Sequence, residues 1–193
     1  MKRCLRTLVP VIALALLLVP VRGRADDAEA AWAALRAGGH VALMRHATAP
    51  GSGDPSGFNL EDCATQRNLS AAGRAEARAI GAAFRARAIA VDGVYSSQWC
   101  RCLETARLLD LGPVEPFPPL NSFFGQPERE PSQMAALRSW LAERPEGAVG
   151  VLVTHQVVVT ALTDIFPRSG EIIVGKALTD GRLQVVGRIP PPR

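Results

Sequence analysis

Five short apolar runs set the main constraint on this chain: "HVALMR" (40–45), "VDGVYS" (91–96), "GVLVTH" (150–155), "EIIVG" (171–175) and "LQVVG" (183–187). Runs of this length with little polar alternation suit strands covered on both faces. Helical segments lie among them, at about 70–87, 99–109, 131–143 and 156–164. In the first of these, Ser70 is placed to cap the N-terminus, and Ile80 and Phe84 fall one turn apart on an apolar side. Strands alternating with helices predict an α/β domain with a largely parallel sheet.

In such sheets ligands bind beyond the carboxyl ends of the strands. Polar residues stand at three of those ends: Arg45 and His46, Ser96 and Ser97, Thr154 and His155. Together with Arg101, they suit a dianionic phosphoryl group. Guanidinium groups grip its oxygens in pairs and stay charged at any working pH. A neutral imidazole can attack phosphorus and divide a difficult hydrolysis into two easier steps. The histidines carry more information than the arginines, because the chain has 20 Arg but only three His. His40 opens the first strand, at the end away from the crevice, and receives no role. Arg74, Arg78 and Arg85 share a helix face and read as solvated surface.

The first residues, "MKRCLRTLVPVIALALLLVPVRGRADD", have a basic head, an apolar run from Leu8 to Val21 and small residues before Asp26. That is the layout of a secretory leader cleaved after Ala25. The run is too short for a spanning helix, and two prolines interrupt it. The division expected is therefore a leader over 1–25 and one domain over 26–193, periplasmic or secreted, with no stable membrane span after cleavage. Five of the 22 basic residues precede the cleavage point and no acidic residue does, which leaves 17 basic against 18 acidic. That balance gives no reason to expect a nucleic-acid partner.

Cys63, Cys100 and Cys102 remain. An oxidising compartment favours one disulfide and one thiol. Cys102 shares helical spacing with Thr105, Ala106 and Leu109 on an inward face, whereas Cys100 lies nearer the loop. A Cys63–Cys100 bridge with Cys102 as a buried thiol is expected. "CRC" with one distant cysteine lacks the paired spacing of a zinc site, so no metal is expected.

Taken in order, "LMRHA", "NLSAAGRAEARAIG", "VYSSQWCRCLETARLL" and "VLVTHQ" resemble the histidine phosphatase superfamily, also called phosphoglycerate mutase-like. Its pattern is an Arg-His at the end of the first strand, an LS/T-x-x-G helix start, an SS-x-x-x-R-x-x-x-TA segment and a later strand ending in His. The resemblance covers about residues 40 to 156, and the exported, cysteine-bearing character is similar to its small periplasmic phosphatase branch. It implies a three-layer α/β/α fold with a largely parallel central sheet. It also implies a phosphomonoesterase that works through a phosphohistidine without metal or cofactor. By position His46 is the nucleophile with Arg45 beside it, Arg101 is the second phosphate-binding arginine, and His155 is the second histidine on the phosphate. Ser96, Ser97, Thr105 and Ala106 match the motif as residues holding the turn that presents Arg101.

Two positions depart from that pattern. Ala47 stands where the family usually has glycine. The region where many members carry a catalytic Glu reads "LNSFFG", with Asn121 and Ser122 in its place. Glu61, Asp62, Glu128 and Glu130 are candidate acids by their location in loops. Two other readings compete: a non-catalytic phosphate-binding or envelope interaction protein of the same fold, and a phosphoglycerate mutase. The stretches "TAPGSGDPSGFNLEDCATQ" and "LGPVEPFPPLNSFFGQPEREP" are expected to wall the pocket. The expected partner is a small phosphorylated substrate, such as a sugar phosphate or an envelope glycan phosphate.

Overall fold

The computed structural model describes residues 24 to 192. The leader expected over 1–25 therefore lies, up to residue 23, outside the described residues. Among these described residues six strands, β1 (Val41–Arg45), β2 (Gly93–Ser96), β3 (Val114–Pro116), β4 (Gly150–Thr154), β5 (Ile172–Ala177) and β6 (Leu183–Ile189), form one sheet in the order β3-β2-β4-β1-β5-β6. The pairs β3-β2, β2-β4 and β4-β1 are parallel; β5 runs antiparallel to both β1 and β6. The sheet is largely parallel, as the sequence predicts, with β5 as the reversed strand.

Among the described residues five helices cover the sheet: α1 (Arg24–Ala37), α2 (Ala71–Ala86), α3 (Cys100–Leu109), α4 (Glu130–Ala142) and α5 (Gln156–Thr163). Side-chain alternation along the strands divides the core in two. Ala42, Met44, Val151 and Val153 point to one face, against Trp32 and Leu35 of α1, Phe84 of α2 and Leu109 of α3. Val41, Leu43 and Leu152 point to the other, against Leu137 and Leu141 of α4 and Val158 and Leu162 of α5. The result is three layers, each sheet face burying a continuous apolar surface.

Two elements are not legible in the sequence. The strand β3 is only three residues long and ends in proline, and what marks it as a strand is its pairing with β2. Helix α1 begins inside the expected leader boundary, and it buries Ala31, Trp32 and Leu35. Helix α2 starts where the sequence places it: the Ser70 side chain accepts from the Gly73 N–H at 3.0 Å. Glycine is required at position 73, because a Cβ there would lie 2.1 Å from the Thr48 carbonyl oxygen. This close approach seats the loop after His46 on the start of α2.

Candidate active site

Register sets the floor of the site. Arg45 at the end of β1 pairs with Thr154 of β4, and Ser96 of β2 pairs with Val153. The next residues on each strand, His46, His155 and Ser97, therefore emerge side by side. The His46 and His155 rings lie edge to face with centroids 5.6 Å apart. Arg101 enters from the first turn of α3, with its Nη2 3.4 Å from His155 Nδ1. Arg45, His46, Arg101 and His155 all line one cavity of about 770 Å³, a volume suited to a small molecule.

His46 is pinned by the loop that follows it. Its Nδ1 lies 2.8 Å from the Ala47 carbonyl oxygen, so Nδ1 carries the proton and Nε2 keeps its lone pair. The Ala47 N–H donates to Thr105 Oγ1 at 3.1 Å, and Thr105 Oγ1 donates in turn to the Arg101 carbonyl. The Thr48 N–H and hydroxyl both donate to Glu76 Oε2. Ala47 is buried and is not among the residues with positive φ, so the turn is made without the glycine of the family pattern. Thr105 thus ties the nucleophile's loop to the arginine's helix.

His155 is held from below. Its Nε2 lies 2.8 Å from Ser97 Oγ, and Ser97 Oγ donates to Asn121 Oδ1 at 3.3 Å. Asn121, the residue standing where an acid was sought, is buried. Its Oδ1 accepts from the Gln98 N–H and its Nδ2 donates to Gln98 Oε1. It braces the floor under His155 and is not among the residues lining the cavity.

Burial holds both imidazoles neutral. His46 is lowered to about 3, first by desolvation and then by Arg101, Arg67 and Arg45, against the raising effect of the Ala47 carbonyl. His155 is lowered well below the ordinary histidine value by burial, by His46 and by the same arginines. A neutral nucleophile is what attack on phosphorus requires. The linkage to stability has a definite sign: unfolded histidines take up protons near 6.5 and folded His46 only near 3. This contribution is complete above pH 6.5 and is lost as pH falls toward 3. We expect the imidazole nitrogen shifts of His46 to stay at neutral values from pH 7.5 to 5. The urea midpoint should fall across the same titration, and a His46 titration near 6.5 in the folded protein would contradict this.

Two lining residues were missed by sequence reasoning. Arg67, directly before the "NLS" that opens α2, donates through Nε to the Gly53 carbonyl at 2.7 Å and through Nη1 to the Ala49 carbonyl at 2.6 Å. Its position beside the helix-start motif was visible, but in an arginine-rich chain a single Arg carries little weight. The second is Asp54. Its two carboxylate oxygens accept from Arg101 Nη1 and Nη2 at 2.5 and 3.0 Å, and Trp99 Nε1 donates to it at 2.9 Å.

The structure corrects the four loop acids named as candidates. Asp62 caps the short turn Cys63–Thr65 by accepting from the Ala64 N–H, and Glu61, Glu128 and Glu130 are exposed. None of the four lines the cavity, whereas Asp54 does. Their loops do form its walls, as expected: residues 51–60 make one side, and Ser122, Phe124, Gln126 and Arg129 contribute to the other.

The Cys63–Cys100 bridge is present, with Cα atoms 5.6 Å apart, and it ties the first wall to the start of α3. Cys102 is free and buried, with its Sγ 3.5 Å from His155 Nε2. Burial pushes that thiol up to about 12. Among the described residues no group of three or more His, Cys, Asp or Glu side chains is placed to hold a metal ion. What the site can do is bind an anion of charge about −2 and attack it. Arg45, Arg67 and Arg101 surround the histidines with Asp54 as the opposing charge, and the Nε atoms of Arg45 and Arg101 are buried without a hydrogen-bond partner.

Comparison with known proteins agrees with this geometry. The family described as histidine phosphatase superfamily (branch 1) matches residues 41–133. The protein histidine phosphatase SixA, solved with tungstate, is similar in fold, with 16% identity and a TM-score of 0.55 over 78% of this chain and 96% of that one. YhfR of Bacillus stearothermophilus gives 16% and 0.56 over 78% and 96%. TTHB049 of Thermus thermophilus gives 18% and 0.56 over 77% and 98%. No curated protein matches the chain. The family match begins at the strand that presents Arg45 and His46 and runs through Arg101, so over the residues that build this site the chain is similar to the histidine phosphatase superfamily.

Proposed function

We propose that this protein is a phosphomonoesterase that hydrolyses small phosphorylated substrates through a phosphohistidine on His46, without a metal ion. The observation that carries this reading is the tautomer of His46: Nδ1 is committed to the Ala47 carbonyl, and the ring stands neutral among three arginines with Nε2 as the free nucleophile. Arg45 and Arg101 each hold an unpartnered, buried Nε–H, a donor that a phosphoryl oxygen would satisfy. The guanidinium charges can offset the charge on the transferring phosphoryl group, the part a divalent cation plays elsewhere. The tungstate bound by SixA is an oxyanion of similar shape, which supports the same reading. Two buried histidines amid this charge also weigh against a purely non-catalytic phosphate binder.

We further propose that the protein works outside the cytoplasm. The basic-then-apolar leader and the Cys63–Cys100 bridge support this, since such bridges persist in oxidising compartments.

Incubation with an aryl phosphate and alkaline quenching should leave an acid-labile, base-stable phosphoryl group on the peptide containing His46. Hydrolysis should survive EDTA and be inhibited by vanadate. Strict dependence on an added divalent ion would overturn the metal-free mechanism.

A further inference from the structure

Asp54 occupies the arginine that the phosphate needs. Both of its oxygens are bound end-on by Arg101, whose side chain is 3% exposed against 10% for Asp54. Two further donors complete the carboxylate's surroundings, Trp99 Nε1–H and the Arg67 N–H. The loop that delivers Asp54 carries no other charge between Gly51 and Phe58, and Gly51, Gly53 and Gly57 all have positive φ. The other charged or titratable groups lining this cavity are Arg45 and His46 at the end of β1, Arg67 before α2, His155 after β4, and Arg129 on the opposite wall. Burial by itself would raise the Asp54 carboxyl, but the hydrogen bonds and charge of Arg101, with Trp99 and Arg67, hold it below the usual carboxylate range. In this arrangement Asp54 is a counter-ion.

We propose that substrate binding converts Asp54 from the counter-ion of Arg101 into the proton donor for the leaving group. The proposal rests on the phosphatase reading above. A phosphate ester that takes the Nη edge of Arg101 competes directly with Asp54 for the same two N–H groups. The displaced carboxylate then lies beside a dianion and has lost its principal cation. Both changes favour its protonated form, and it takes the proton from solvent.

In the first step the His46 Nε2 lone pair forms the N–P bond. The ester P–O bond breaks with its electron pair on the leaving oxygen, and the Asp54 proton passes to that oxygen to release the alcohol. In the second step water attacks phosphorus and gives its proton to the Asp54 carboxylate. The N–P pair returns to His46, and inorganic phosphate leaves. Asp54 ends each turnover protonated, and it pairs with Arg101 again once phosphate departs and the proton is lost.

The test measures single-turnover phosphoenzyme formation with phosphate esters of graded leaving-group pKa, in wild type, Asp54→Asn and Asp54→Glu. Inhibition by inorganic phosphate is measured in parallel, and thermal melting confirms that each variant is folded. General acid catalysis is worth about 10²- to 10⁴-fold, so Asp54→Asn should lose that much with alkyl esters and far less with activated aryl esters. Its leaving-group dependence should become steep. Asp54→Glu should recover part of the alkyl activity. Phosphate should inhibit Asp54→Asn more tightly than wild type, because its competitor for Arg101 carries no charge.

A loss of equal size across the series, together with weaker phosphate inhibition, would show that Asp54 only props Arg101 and would overturn the proposal. An Asp54→Asn variant too unstable to assay leaves Asp54→Glu and the wild-type pH profile to decide. A wild-type leaving-group dependence as steep as that of uncatalysed hydrolysis would also overturn it. Absence of any phosphohistidine in the wild type marks a different failure, that of the phosphatase reading itself.

Discussion

Replacing His46 with alanine should reduce turnover of an aryl phosphate by about four orders of magnitude or more, since the reaction loses its covalent route. No neighbour is placed to substitute. His155 Nε2 is engaged with Ser97, and Cys102 is buried with its thiol held at about 12. Water remains as a nucleophile, but it has no base comparable to the displaced imidazole. The arginines stay in place, so binding should suffer much less than turnover, and vanadate should still protect the variant against thermal unfolding. The measurement is steady-state hydrolysis together with a melting curve. Retention of more than a small fraction of wild-type activity by a folded variant would refute the assignment of the nucleophile.

Opening the Cys63–Cys100 bridge should have the largest effect on stability. The bridged positions are 37 residues apart, and closing a loop of that size in the unfolded chain corresponds to about 4 kcal/mol in the chain-entropy model. The loop contains all of α2, and Gln66 Oε1 also accepts from the Cys100 N–H at 3.0 Å. The bridge therefore joins the cavity wall to the helix that carries Arg101. A Cys63→Ser, Cys100→Ser double variant should show a urea midpoint well below that of the oxidised protein and weaker inhibition by phosphate. Equal midpoints would show that the bridge carries no stability.

The sheet was legible because five of its strands are apolar runs that need no partner to be recognised, and because the polar residues ending β1, β2 and β4 stand out against them. His46 and His155 were visible for the same reason, as two rare residues at strand ends. The Cys63–Cys100 bridge followed from helix spacing, since Cys102 falls on the inward face with Thr105 and Leu109. Asp54 was not legible, because its role depends on which strand end its loop folds over, and nothing local in "GSGDPSG" says that. Arg67 was hidden by the abundance of its own residue type. Ser97 and Thr105 read as turn residues, yet each makes a hydrogen bond that fixes a histidine or its loop, and such bonds appear only once three segments meet.

The buried thiol of Cys102 also safeguards a neighbour. It sits two residues from Cys100, near enough in the chain to attack the bridge and shuffle it into a Cys63–Cys102 pairing that would pull Arg101 out of register. Exchange proceeds through the thiolate, and a thiol held at about 12 is ionised to only about one part in 10⁵ at neutral pH. Its place behind His155, on the far side of the helix from Cys100, denies it the approach as well. The folded core thereby enforces fidelity of cross-linking: once the Cys63–Cys100 pair has formed, the Cys102 sulfur is a spectator.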